Sequence, residues 1–257
     1  MKLKIINEYA VSKSTELYDA FAPYYREYSD KRTGYLKSSD NIIIDFIKCQ
    51  DELVNNTDLL TMLDIGAGDG IRSFRIAAKT NMHKLILLDN SPQMLKLCTK
   101  IPCTDVILGD ISNKNTSLEK DSCQFITCIW NVLGHIETPE KRIMALKKIH
   151  NTLSSDGFLF LDVNNRYNIK NYGIKNVLVN FLKDILYPPD NNGNVDFKIE
   201  INNKKIPAHV HIFSPHEMNQ LLKKTGFKII KKYYLDYSTG KIQKSFLTGQ
   251  LLYILKK

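Results

Sequence analysis

Leu63-Asp64-Ile65-Gly66-Ala67-Gly68-Asp69-Gly70 decides how the rest of this chain is read. The run Leu60 to Ile65 has the length and apolar character of a buried strand. Three glycines follow at alternate positions, and Ile71, Phe74, Ala77 and Ala78 continue at helical spacing. A strand, a glycine turn and a helix start bring backbone close to a nucleotide-like ligand. The spacing narrows which one. The dinucleotide fingerprint needs glycine or alanine where Ile71 stands, and no Gly-Lys-Ser/Thr follows to make a phosphate loop. Asp64 and Asp69 beside the turn are poor neighbours for a pyrophosphate and better ones for a ligand with an amino group.

Outward from that turn the chain alternates strand and helix. Lys84 to Leu88 reads as a second strand. Ser91-Pro92 opens a helix carrying Met94, Leu95 and Cys98. Val106 to Leu108 and Phe125 to Trp130 read as strands three and four. Thr138-Pro139-Glu140 caps a helix with Ile143, Leu146 and Ile149, and Phe158 to Val163 is a fifth strand after Gly157. Repeats of this kind predict a parallel sheet covered by helices on both faces. Residues 12–48 read as two helices dense in tyrosine, the first capped by Ser14 and the second starting near Asp40. They form a lid that packs on the core, covers a ligand, or does both. Residues 164–208 break the rhythm and read as an insertion with one apolar run, Val177 to Leu186. Ser214-Pro215-His216-Glu217 is a capping box, and two strands, Lys228 to Leu235 and Phe246 to Leu255, close the chain as a hairpin around Gly240. The whole, 1–257, reads as one domain.

In such a sheet ligands bind at the carboxyl ends of the strands. Asp64 lies within the first strand, Asp89 ends the second and Asp110 follows the third. Asp89 stands where a carboxylate accepts from two ribose hydroxyls, and Asp110 where an acid accepts from an exocyclic amine.

Four stretches carry a family resemblance: residues 63–70, Leu88-Asp89-Asn90-Ser91-Pro92-Gln93-Met94-Leu95, Leu108-Gly109-Asp110-Ile111, and residues 153–162 from Leu153 to Asp162. In this order the chain resembles a class I S-adenosylmethionine-dependent methyltransferase, on its small-molecule branch. The resemblance covers roughly residues 55–165. It implies a Rossmann-like, doubly wound α/β fold with a seven-stranded, mostly parallel sheet, an antiparallel last strand, a helical N-terminal lid and an insertion after strand five. It further implies S-adenosylmethionine as cofactor: Gly66, Ala67 and Gly68 near the methionine part, Asp64 holding its amino group through the turn or a water, Asp89 on the ribose, Asn90 and Met94 flanking the adenine, and Asp110 and Ile111 on its other side. Trp130 and Asn131 fall beside cofactor and substrate. Two positions depart from the family pattern: Gln124 replaces an acid before the fourth strand, and Ser-Ser-Asp precedes Gly157.

The reaction expected is in-line displacement at a sulfonium methyl. His135 is the candidate base, with a loop-shaping role as the alternative. Tyr18, Tyr25, Tyr35 and His211 are the candidate substrate residues. The stretch Asn131-Val132-Leu133-Gly134 lacks the Pro-Pro-aromatic signature with which amino-methyltransferases stack a flipped base. The acceptor expected is therefore a small molecule, with an amine nitrogen preferred. An oxygen acceptor, an RNA or tRNA substrate held by the basic C-terminal part, and a cofactor-binding partner protein without turnover remain open.

Composition sets further bounds. The net charge is +9, and residues 201–257 hold eleven lysines against only Glu217 and Asp236. Solvated lysines on helix faces and edge strands account for this, and nucleic acid is not an expected partner. No run approaches the ~18 apolar residues of a membrane span. Five scattered cysteines without Cys-x-x-Cys spacing suit reduced thiols, a cytoplasmic location and no metal site. The oligomeric state is left open.

Overall fold

The computed structural model describes residues 3–5, 12–50, 53, 59–98, 101, 104–187 and 192–257; Tyr9 and Cys103 lie outside them. The chain enters through a short strand, β1 (Leu3–Ile5). Helices α1 (Lys13–Phe21), α2 (Tyr25–Asp30) and α3 (Thr33–Lys48) follow, with a 3-10 turn at Ala22–Tyr24. Then come β2 (Thr61–Ile65), α4 (Ile71–Lys79), β3 (Lys84–Asp89), α5 (Pro92–Cys98), β4 (Thr104–Leu108) and β5 (Cys123–Cys128). Helix α6 (Pro139–Thr152) leads directly into β6 (Leu153–Val163). The rest is α7 (Ile169–Leu186), β7 (Asn194–Ile201), β8 (Lys204–His211), α8 (Pro215–Lys224), β9 (Lys228–Leu235), β10 (Ile242–Gln243) and β11 (Gln250–Lys256).

The main sheet has the order β1-β4-β3-β2-β5-β6-β11-β9-β10. Its seven long strands are those expected, with β11 antiparallel to both β6 and β9. Three-residue β1 and two-residue β10 lengthen it to nine, and neither is long enough to announce itself by alternation. Strand order reverses between β2 and β5, which places the topological switch beyond Ile65 and Cys128.

Two apolar layers flank the sheet. One joins Leu63, Ile126, Leu159 and Leu161 to Leu146 and Ile149 of α6 and to Met218 and Leu222 of α8. The other joins Met62, Leu85, Leu87, Phe125 and Phe160 to α3 and α4. Strand β2 is buried along its whole length, so it reads as a continuous apolar run. Its first amide, Thr61 N–H, donates to Gln124 Oε1 at 2.9 Å, so the departure at Gln124 has a local structural role.

Three local expectations are corrected. Ser12 caps α1, accepting from Thr15 N–H at 3.2 Å. Ser14 lies one residue inside the helix. The second lid helix starts at Thr33, and its Ile43, Ile44 and Ile47 are core, so only residues 12–37 reach over the sheet's open end. The insertion is regular and runs on to His211: a helix broken at Gly173 (φ 76°, ψ 155°), then a two-stranded antiparallel hairpin. Leu17 of α1 packs on Ile201, Ile206 and Ala208 of that hairpin, which ties lid to insertion.

Candidate active site

The turn after β2 is held open from both sides. Gly66 N–H and Ala67 N–H donate to Leu88 O at 2.8 and 3.1 Å, pinning the turn to the end of β3. Gly66 and Gly68 have φ of 71° and 59°, in the left-handed region that favours glycine. A Cβ on Gly66 would fall on the Val132 side chain, and one on Gly68 would lie 2.6 Å from Tyr25 Oη. Asp64 is buried beneath the turn and accepts from Ser73 Oγ and, at 2.5 Å, from Thr127 Oγ1. It joins turn, α4 and β5, and burial pushes its carboxyl above the usual carboxylate range.

Asp89 closes β3. Its Oδ2 accepts from Gly68 N–H at 2.8 Å and its Oδ1 from Ser91 N–H at 2.9 Å. Burial pushes its carboxyl up to about 6 against those two amide bonds, and among the described residues no cation pairs with it. A buried carboxylate without a cation is stabilised by further hydrogen-bond donors, and hydroxyls can supply them. Asp110 accepts from Ser112 N–H at 2.8 Å and Ser112 Oγ at 2.7 Å through Oδ1 alone.

These groups line one open cavity at the carboxyl ends of the strands. Tyr18, Tyr25, Asp64, Gly66, Ala67, Gly68, Asp89, Asn90, Asp110, Ile111, Trp130 and His135 all reach it. The lid supplies its roof. Asp19 accepts from Ser91 Oγ at 2.6 Å and Gln93 N–H at 3.1 Å, and Asn90 Nδ2 donates to Ser14 Oγ at 3.0 Å. Arg26 pairs with Asp69 at 2.6 Å and neutralises the acid beside the turn.

After β5 the backbone makes a sharp step. Trp130 and Asn131 both take left-handed φ, 67° and 61°, a rare conformation for such residues that needs support. Asp162, buried at the end of β6, gives it by accepting from Asn131 N–H at 2.7 Å. The step turns Trp130 into the cavity, where its ring meets Tyr25 at 5.7 Å and stacks on Tyr28 at 5.8 Å. His135 follows on a 3-10 turn, Val132–His135. Its Nδ1–H donates to His209 O at 3.1 Å, which leaves Nε2 as an acceptor, and Tyr18 Oη lies 3.2 Å from it. Burial lowers the His135 pKa, so the ring is neutral at neutral pH, and burial raises that of Tyr18.

Four expected site residues are not in the cavity lining. Met94 is a core residue of α5, because the helix turns that position toward the sheet. Asn131 directs its Oδ1 to Asn164 N–H at 2.9 Å, a consequence of the left-handed step. Tyr35 points into the core and donates to Asp162 Oδ2 at 2.8 Å. His211 is fully buried, with Nδ1 2.7 Å from Asn194 Oδ1 and Nε2 2.6 Å from Glu217 Oε1. Glu217 also holds Arg166, at 2.5 Å, so His211 belongs to a buried ionic knot beneath the insertion. Arg26, Val132 and Asp19 were not foreseen. Single polar or apolar lid and loop positions carry no periodic signal.

The residues fit S-adenosylmethionine on their own chemistry. Each Asp89 oxygen accepts one amide bond and keeps a lone pair for a ribose diol, the glycines of the turn allow the close approach of Val132 and Tyr25 to the backbone, and Asp110 keeps one oxygen open. Residues 26–232 match the methyltransferase domain family, and the chain belongs to it. No curated protein matches the sequence at a significant level. Among solved structures, the chain is similar to an S-adenosylmethionine-dependent methyltransferase from Clostridium acetobutylicum. That match has 20% identity and a TM-score of 0.60, and covers 93% of this chain and 98% of that one. It is also similar to CalS10, an amino pentose methyltransferase from Micromonospora echinaspora, at 14% identity and a TM-score of 0.57, with 91% and 96% covered. The Burkholderia thailandensis 1,6-didemethyltoxoflavin-N1-methyltransferase matches at 14% identity and a TM-score of 0.56, with 98% and 93% covered. At these identities the likeness is one of fold.

Proposed function

We propose that this enzyme transfers the methyl group of S-adenosylmethionine to a small-molecule acceptor, by preference an amine nitrogen. The observation that carries this reading is the Tyr18–His135 pair, which lines the cavity where lid helix α1 meets the loop after β5. The bound cofactor supplies a sulfonium-activated methyl group. The chain's own residues hold the reactants in line and keep water out. Asp89 takes the ribose hydroxyls, the turn at Gly66–Gly68 receives the amino-acid part, and Asn90, Asp110 and Ile111 border the adenine.

An amine arriving as ammonium must lose a proton before it attacks. His135 is neutral and its Nε2 lone pair faces Tyr18 Oη, so a proton leaving the acceptor passes to Tyr18 as the phenol proton moves to Nε2, or directly to Nε2. The faces of Tyr25 and Trp130 suit the cationic form on arrival, an attraction of ~0.5–2 kcal/mol. Tyr18 and Arg26 of the lid border the cavity and Asp19 ties the lid to Ser91 and Gln93, which favours an acceptor that is enclosed over a polymer that threads past. Two of the neighbours named above are an N1-methyltransferase and an amino pentose methyltransferase, which accords with this preference.

Purified protein, labelled S-adenosylmethionine and separate pools of amine metabolites, hydroxyl metabolites and total tRNA test the reading. Label in the amine pool supports it. Label confined to tRNA overturns it.

A further inference from the structure

Helix α7 presents an apolar surface left largely exposed among the described residues. After the break at Gly173 it runs from Ile174 to Leu186 and touches the body mainly through Val177 and Asp184, the latter paired with Arg166 at 2.8 Å. Away from that edge it carries Ile174, Leu178, Leu182, Ile185 and Leu186, all between 50% and 71% exposed, with Phe181, 49% exposed, at the rim where its ring also meets Tyr167 at 5.9 Å. With Val179 and Tyr187 beside them, these side chains amount to several hundred Å². That is the scale of the largest apolar patch on a typical monomer, ~300–600 Å², which is often a functional surface.

We propose that this face is covered by the same face of a second copy of this chain, with the two α7 helices antiparallel across a twofold axis level with Asn180. The pattern of residues carries the choice. Apolar side chains sit symmetrically about position 180: Val179 with Phe181, Leu178 with Leu182, and Ile174 with Leu186. An antiparallel pair places each on its counterpart, the self-complementarity that an isologous interface requires. The same arrangement keeps like charges apart, because Lys175 comes level with the partner's Ile185 and Lys183 with the partner's Val177. The helix's one carboxylate, Asp184, is turned inward to Arg166 and Tyr167. Between Ile174 and Leu186 the only charged residues are Lys175, Lys183 and the inward-turned Asp184, whereas a helix lying on a lipid surface keeps a broad charged face.

Analytical ultracentrifugation of the full chain tests this. The wild type is expected at the mass of two chains. L178E/L182E, which sets four carboxylates around the axis, is expected at the mass of one, with an unchanged circular dichroism spectrum and cofactor affinity. L178K/L182E, which faces each glutamate with the partner's lysine, is expected to recover the mass of two. A monomeric wild type overturns the proposal, and so does L178E/L182E remaining dimeric. Failure of L178K/L182E to recover overturns the antiparallel register. A monomer that sediments with phosphatidylserine vesicles replaces the second copy by a lipid surface.

Discussion

The two halves of the cavity are built differently. The half proposed for the cofactor hangs on the carboxyl ends of β2, β3 and β4, where short turns follow parallel strands and backbone amides and strand-end acids face the cavity. The half proposed for the acceptor is assembled from three separate parts of the chain: α1 and α2, the left-handed step at Trp130–Asn131, and the hairpin whose His209 carbonyl fixes His135. A strand end fixes its side chain by register. A lid residue is fixed only by what it meets across space. Changes in the first half should therefore act on cofactor binding, and changes in the second on turnover.

The largest effect is expected at the acceptor half. His135→Ala should lower kcat by roughly 10²-fold, within the range of a lost acid–base group. Tyr18→Phe should lower it less, because direct transfer to Nε2 survives. Both are read by initial rates at saturating cofactor, with cofactor affinity measured alongside. The comparison breaks if either variant loses affinity and keeps kcat.

Next comes Asp89→Ala, which removes the charged acceptor of the ribose hydroxyls and leaves Gly68 N–H without its partner. The expected loss is about 1.5–3 kcal/mol, some ten- to hundredfold in the dissociation constant, with kcat at saturation retained. Calorimetric titration reads it.

The same carboxylate gives the pH dependence. Its pKa in the ligand-free fold is raised to about 6 by burial, so it is protonated below that value and accepts poorly from hydroxyls. Cofactor affinity should hold above pH 6 and fall ~tenfold per unit below it, with Asp89→Asn abolishing the dependence. The folded state also binds this proton more tightly than the unfolded chain does. The ligand-free fold therefore loses stability as pH rises from 3.8 to about 6, and bound cofactor offsets that loss.

The smallest effect is expected at Tyr35, the tyrosine that looks like a lid residue and is not. Tyr35→Phe removes one hydrogen bond to buried Asp162 and should cost about 1 kcal/mol in chemical unfolding, with KM for the acceptor unchanged. A raised KM at full stability would return Tyr35 to the acceptor half.

This division also explains what was legible in the sequence. Asp64, Asp89 and Asp110 could be picked out because each lies within, ends or follows an apolar run, and all three line the cavity, Asp64 while also bracing Ser73 and Thr127. The tyrosines of residues 12–35 were visible as a group, yet helix rotation sends Tyr18 and Tyr25 into the cavity and Tyr35 into the core. Asn131 was placed beside the ligand by analogy, and its left-handed backbone turns the side chain toward Asn164 instead. His211 shares a strand face with His209, but the capping-box glutamate that starts α8 reaches back to claim it, a contact between elements that strand alternation does not contain. The long apolar run of the insertion was plain, while its exposure became visible only once the helix was seen to touch the body along one edge.

One measurement tests the division directly: titration of the demethylated cofactor into Asp89→Ala and Tyr18→Phe side by side with the wild type. The account predicts that Asp89→Ala binds ten- to hundredfold more weakly while Tyr18→Phe stays within about twofold of the wild type. Equal affinities in all three proteins, or a loss confined to Tyr18→Phe, would contradict it.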